Sequence, residues 1–270
     1  METRSAIVSG AFYPSDKGKL SGQLSSLFSE ANAAEKYSIV VSPHAGYVYS
    51  GLGAASAIGS LKPAKTFIIL GPNHTGMGQE FSIMSQGVWK TPLGEVEIDE
   101  ATAASLKKAG MLEEDGWAHA SEHSIEVQLP FLQHRFGSFS LVPVCIMNED
   151  YSDSFLRDCE RLGELIGLMM KSKEIGLIAS SDFSHYVPAQ SAKKYDMQAI
   201  EKITNLDGKG LFQTLHKNRA TVCGYGPIAV AMAAAKALGL KSGELIRYMN
   251  SGDATKDYSS VVAYAAIGFL

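Results

Sequence analysis

The sequence predicts an α/β fold, a single domain over residues 1–270 whose central sheet, largely parallel or mixed, is covered by helices on both faces. Three observations carry that prediction. Runs of β-branched and other apolar residues, such as Ile39-Val40-Val41, Thr66-Phe67-Ile68-Ile69-Leu70 and Ile175-Gly176-Leu177-Ile178-Ala179, alternate with helical stretches. Each run stops abruptly in a loop bearing proline, glycine or serine. No repeat, low-complexity tract or linker interrupts the pattern, and 46% apolar against 19% charged residues suffices to bury a substantial core.

In order, Gly10-Ala11-Phe12-Tyr13-Pro14 is a short extended piece ended by proline, after which Ser15 or Asp16 is placed to cap a helix. That helix carries Leu20, Leu24, Leu27 and Phe28 on one face. The strand at Ile39 breaks at Ser42-Pro43, and a small-residue helix is expected from about Gly51 to Ile58. Residues 81–85 and 94–98 are expected to be short strands around a turn beginning at Trp89, an insertion outside the βαβ rhythm. Helices are expected over residues 99–109 and 124–136, the second with Ile125, Leu129 and Leu132 facing inward and a kink or late start near Pro130. A strand over 141–147, flawed by Pro143, and a helix over 154–171 lead to the strand at Ile175. The last third is expected to be helical to about Leu240, with a break at 221–227, before two strands near 244–249 and 260–269.

Composition narrows the function classes. A net charge of −4 without any lysine or arginine cluster argues against a nucleic-acid partner. No run reaches the ~18 apolar residues of a membrane span, and no apolar signal core follows the first five residues. Cys145, Cys159 and Cys223 are odd in number and widely spaced, which points away from a disulfide framework and towards a reducing, cytoplasmic setting.

Three of the predicted strands end in loops that carry histidine: His44, His74 behind Asn73, and His185 behind Asp182. Parallel strands share their carboxyl side, so these histidines are expected at one edge of the sheet. Neutral imidazole is the commonest metal ligand and a favoured acid or base near neutral pH, although any one of them could be an ordinary hydrogen-bonded loop residue. Cys223 sits in a glycine-rich break, either as a thiolate ligand for iron, copper or zinc or as a small buried apolar residue. Cys145 and Cys159 are read as the latter. His123 is expected at a helix N-terminus, where the dipole disfavours imidazolium, with Glu122 and Glu126 capping that helix or complementing its dipole. His119, His134 and His216 lie outside such loops and are read as structural or exposed. Tyr47, Tyr49, Tyr186 and Tyr225 lie near the histidines and are expected to give an aromatic cleft, or else simply to pack at loop edges. Phosphate-loop, HExxH, CxxC and nucleophile-elbow patterns are absent.

Ser42-Pro43-His44-Ala45-Gly46-Tyr47, Gly71-Pro72-Asn73-His74, Glu122-His123-Ser124-Ile125-Glu126, Ser181-Asp182-Phe183-Ser184-His185-Tyr186 and Cys223-Gly224-Tyr225-Gly226-Pro227 together resemble the Memo family. With Gly10-Ala11-Phe12-Tyr13-Pro14, the resemblance spans nearly the whole chain. It implies a fold similar to the class III extradiol dioxygenases, which are non-haem iron enzymes. It further implies metal ligands at His44, His74 and Cys223, acid-base roles for His185 and His123, and a place close to the metal for Asp182. A cysteine where the dioxygenases use glutamate softens the donor set, so iron(II) or copper is expected, with zinc as a further candidate. The expected function is a metal-dependent oxidoreductase with a dioxygenase-like site. The alternatives are a non-catalytic module using the cleft for a peptide or small acidic ligand, and a metal-assisted hydrolase. For a prokaryotic chain, the resemblance also implies a functional link to a radical-SAM enzyme.

Overall fold

The computed structural model describes residues 2–148 and 150–270; Met1, the first residue of the N-terminal segment read above, lies outside the described residues. After β1 (Thr3–Arg4) comes α1 (Lys17–Ala31), capped by Asp16, whose carboxylate accepts from Lys19 N at 2.8 Å, with Leu20 and Leu24 fully buried. The first apolar run is β2 (Ile39–Ser42), which ends where Pro43 removes the donor a ladder needs. The following helix, α2 (Tyr47–Gly59), begins ahead of the expected Gly51, because Tyr47 is anchored in the core against Tyr13 and Phe131 and Gly46 serves as N-cap. β3 (Thr66–Pro72) and β4 (Phe81–Ile83) come next.

The expected turn at Trp89 is instead a strand. β5 (Val88–Thr91) pairs antiparallel with β6 (Gly94–Glu97), and Trp89 is buried beneath the Arg4 guanidinium, 4.1 Å from its ring centroid. β1 pairs parallel with β5, so this insertion forms a small sheet of its own. Next are α3 (Glu100–Lys108), capped by Asp99, then β7 (Glu113–Glu114) and α4 (Trp117–Ala120). A 3-10 turn at Glu126–Gln128 precedes α5 (Leu129–Phe136), so this helix starts late, with Pro130 in the first turn where a missing N–H is harmless. β8 (Ser140–Ile146), α6 (Asp153–Met170), β9 (Ile175–Ser180) and β10 (His185–Val187) lead into the last third. There α7 (Ala189–Thr204) and α8 (Gly208–Asn218) are separated at Leu206, whose φ is +56°, and at the capping Asp207. After α9 (Tyr225–Leu238), β11 (Gly243–Asn250), α10 (Gly252–Thr255) and β12 (Val261–Phe269) complete the fold.

Among the described residues, the main sheet runs β10-β12-β2-β9-β3-β8-β4-β7, with β11 added to β12. Its centre, β2-β9-β3-β8, is parallel, while β12 and β4 run antiparallel to their neighbours, so the sheet is mixed. Pro143 is tolerated because it falls between the two contacts of that edge of β8, with Ile98 at Leu141 and with β4 at Val144–Ile146. One helical group, α1, α2 and α5, packs on β2, β11 and β12 through α2; another, α6 with α9, packs on β9, β2 and β3. The α6–α9 contact is made nearly backbone to backbone, since a Cβ on Gly163 would lie 2.3 Å from Val230 O. No described helix is long and apolar enough to cross a membrane. The consequence for function lies in the parallel centre, where four strands, β2, β9, β3 and β8, deliver their carboxyl ends to one edge.

Candidate metal centre

β2 and β9 end in register, Ser42 beside Ser180, so the loops bearing His44 and Asp182 leave the sheet side by side. The His44 backbone N–H donates to Asp182 Oδ1 at 2.9 Å, tying the two loops together. The Cys223 loop is pressed onto the same edge: Cys223 N donates to Asp182 O at 3.3 Å, and Asp182 N donates to Cys223 Sγ at 3.1 Å. Only glycine fits at position 224, where a Cβ would lie 2.3 Å from Ser180 O. Asn148, just beyond β8, holds the far side of the loop by donating to Cys223 O and accepting from Gly226 N. His44 Nε2 thereby comes 3.2 Å from Cys223 Sγ, and the donor atoms of His44, His74 and Cys223 all lie within 4.8 Å of one another.

The segment from Glu122 to Gln128 backs this edge. Glu122 is 1% exposed and its carboxylate accepts from His74 N, His74 Nδ1, His123 N and Ser124 N at 2.6 to 2.9 Å. It is therefore no helix cap; it orients His74 with its Nε2 left open. Burial would raise the Glu122 carboxyl, but the His74 hydrogen bonds and charge outweigh it and bring the pKa to about 2. The same pairing outweighs burial at His74 and raises its pKa. Glu126 is likewise not a dipole partner, since it is buried with Arg4, the amides of Ile7 and Val8 and the Tyr13 hydroxyl. That network straps the N-terminal segment across the site and seats Phe12 against His123, ring centroids 4.9 Å apart.

His44 is 3% exposed, and burial, with the neighbouring His74 second, pushes its pKa well below the ordinary value. Burial also pushes Asp182 up to about 7, against the amides of His44 and Ala45, and pushes the Cys223 thiol well up. A cation held between these donors would supply the opposite charge that stabilises a thiolate beside a neutral imidazole pair. His123 stacks on His74 with centroids 5.0 Å apart and meets His44 edge-on at 5.6 Å. It lies ahead of the 3-10 turn, not at a helix N-terminus, and its lowered pKa comes from burial first, with Glu122 opposing. His185 Nδ1 pairs with Thr221 O at 2.8 Å; a carbonyl only accepts, so Nδ1 carries the proton and Nε2 is the basic nitrogen.

His44, His74, His123, Asp182 and His185 line a cleft of about 480 Å³ together with Phe12, Tyr49, Tyr186 and Tyr264. Of the expected aromatic residues, Tyr47 and Tyr225 are elsewhere. Tyr47 donates to Val127 O at 2.7 Å in the core, and Tyr225 packs against Phe155 and Phe212. Tyr264 and Phe12 take their places. Tyr264 lies on β12 and Phe12 precedes Pro14, and neither is near a histidine in the chain. His119 is buried, His134 stacks on Phe28, and His216 lies against Tyr151, all away from the cleft lining. A larger depression of about 670 Å³, beside the β5–β6 hairpin, shares none of the cleft's lining residues. No comparable sequence signal marks Ser180 and Gln128, which contact His44 and the loop behind it.

Comparison with known proteins agrees in extent with this organisation. The family model described as Memo-like protein matches residues 4–268. A MEMO1 family protein of Methanopyrus kandleri is 43% identical over 283 residues, covering 98% of each chain, and one of Methanosarcina barkeri is 43% identical over 268 residues with the same coverage. An uncharacterized protein of Escherichia coli K12 of known crystal structure is similar in fold, with a TM-score of 0.58 at 13% identity, over 85% of this chain and 98% of that one. The chain belongs to the Memo-like family.

Proposed function

We propose that this chain is a metal-dependent oxidoreductase, with iron(II) or copper, or zinc in a non-redox form, held by His44 Nε2, His74 Nε2 and Cys223 Sγ. The observation that carries the reading is the donor set itself, two imidazoles and a thiol whose ligating atoms lie within 4.8 Å at the carboxyl edge of a parallel sheet. That set fits a borderline-to-soft transition metal and does not suit magnesium or calcium. A metal held by His44, His74 and Cys223 would supply Lewis acidity and, if iron or copper, electron exchange.

The chain's own groups divide the remaining work. Glu122 holds the His74 ring through Nδ1, so only Nε2 is presented. His185 Nε2 is the base best placed to take a substrate proton, because its Nδ1–H is committed to Thr221 O. His123, stacked on His74, lines the same cleft as a neutral imidazole for a second proton or hydrogen bond. Asp182 fixes the His44 loop with its carboxylate and the thiol with its amide.

The aromatic wall of Phe12, Tyr49, Tyr186 and Tyr264 favours a second reading, a binding module for a small-molecule or peptide ligand. Among the described lining residues none is lysine or arginine, so an acidic ligand would find only histidine or a bound metal to meet its charge. Elemental analysis separates the readings. Protein purified without an affinity tag and without oxygen should contain stoichiometric iron, copper or zinc that falls in Cys223→Ser and His44→Ala. Metal-free native protein that binds tyrosine-containing peptides would favour the binding module.

A further inference from the structure

Behind His44 lies a buried hydrogen-bond chain in which the protons have only one satisfactory arrangement. Gln128 is fully buried, and its Nε2 lies 2.9 Å from Pro43 O and 2.9 Å from Ser180 Oγ, while Ser42 Oγ donates to its Oε1 at 2.8 Å. A proline carbonyl only accepts, so the amide cannot be flipped, and its second N–H is directed at Ser180 Oγ. Ser180 Oγ also lies 2.7 Å from Ser124 O and 2.9 Å from His44 Nδ1. Its single proton must go to Ser124 O, since otherwise two oxygen lone pairs would face each other at that distance in a buried site. Ser180 then has only a lone pair left for His44, so the imidazole nitrogen must donate.

We infer that Ser180, its proton committed to Ser124 O and its second lone pair taken by Gln128, is a positioning residue that fixes His44 as its Nδ1–H tautomer and leaves Nε2, the nitrogen facing Cys223, as the ring's acceptor. The assignment of that Nε2 to a metal rests on the reading above; the tautomer does not. The device adds no charge. At His74 the same tautomer is set by a carboxylate, which also draws a proton towards the ring, whereas a hydroxyl orients His44 without that pull. Pro43 contributes its carbonyl to the same chain, so the residue that ends β2 also sets the amide that occupies the other lone pair of Ser180.

Long-range proton–nitrogen correlation NMR on the metal-free full chain, with ¹⁵N-labelled histidine, reads this directly. The native chain should show His44 as one neutral species, with pyrrole-type Nδ1 and pyridine-type Nε2. In Ser180→Ala the Nε2–H form should appear, and zinc affinity, measured by competition with a chromophoric chelator, should fall about 10- to 100-fold. Ser180→Thr retains the hydroxyl and should keep the native signature. A native His44 protonated at Nε2 overturns the inference even if every variant misfolds, as does a native signature and native zinc affinity in Ser180→Ala. The two readings fail separately: an Nδ1–H His44 in a chain that binds no zinc refutes the metal site alone, and tight zinc binding with an Nε2–H His44 refutes this inference alone.

Discussion

His44 and His74 face the same point from β2 and β3, yet they are held by opposite means. His44 is buried and its Nδ1 meets a neutral hydroxyl, while the His74 side chain is 35% exposed and its Nδ1 meets the ionised Glu122. Burial keeps the first neutral, and the carboxylate makes the second the more basic ring. The difference teaches where charge is affordable as an orienting device. Beside His44, where burial already pushes the Asp182 carboxyl up, a further carboxylate would be costly. Glu122, though buried as well, is stabilised as a carboxylate by three backbone amides and the His74 ring.

Breaking the charged side should have the larger structural effect. Glu122→Gln presents an amide group to a position that four donors share, and is expected to lower stability by about 3 kcal/mol, read from the urea midpoint. Ring removal separates the two histidines differently. His74→Ala should cost about 3 kcal/mol, because it leaves the buried Glu122 carboxylate without its imidazole partner, whereas His44→Ala should cost about 2 kcal/mol, because it leaves a buried cavity and removes one of the two donors to the Ser180 hydroxyl. Equal losses would break the comparison.

The pH dependence sharpens it. The folded-state pKa of Glu122 is depressed to about 2 from an ordinary 4.5, so its contribution is present above 4.5 and is lost as pH falls towards 2. His74 is raised from 6.5, so its share is present below 6.5 and is lost as pH rises through its folded value. The stability difference between native and Glu122→Gln should therefore narrow below about pH 4.5. In apo-protein NMR, His74 should titrate above its ordinary pKa and drop in Glu122→Gln, while His44 stays neutral throughout the mildly acidic range. The smallest effect belongs to the neutral side: Ser180→Ala should cost only about 1 kcal/mol, since it removes a hydroxyl and no charge.

The convergence of His44, His74 and His185 was legible because it follows from strand ends, a local signal, whereas Cys223 joined His44 and His74 as a ligand only through the family resemblance. The supports of these residues were not. Glu122 reaches His74 across 48 residues, Ser180 reaches His44 across 136, and Gln128 reaches Ser180 across 52, so no spacing pattern marks them. Reading Glu122 and Glu126 as helix caps failed because the helix starts only at Leu129, after a 3-10 turn. Tyr47 and Tyr49 show how finely a side chain's direction depends on an element boundary. With α2 beginning at Tyr47, that ring turns into the core while Tyr49 lines the cleft. The Trp89 strand was missed for a tertiary reason, since its burial depends on Arg4 arriving from the far end of the chain.

The most direct test of a centre made of two imidazoles and a thiolate is the electronic spectrum of the apo chain titrated with cobalt(II). Native protein should develop visible d–d bands together with a near-ultraviolet thiolate-to-cobalt charge-transfer band, and Cys223→Ser should lose the charge-transfer band. Cobalt bound without that band, or a band unchanged in Cys223→Ser, would contradict ligation by Cys223; no cobalt bound at all would contradict the metal centre.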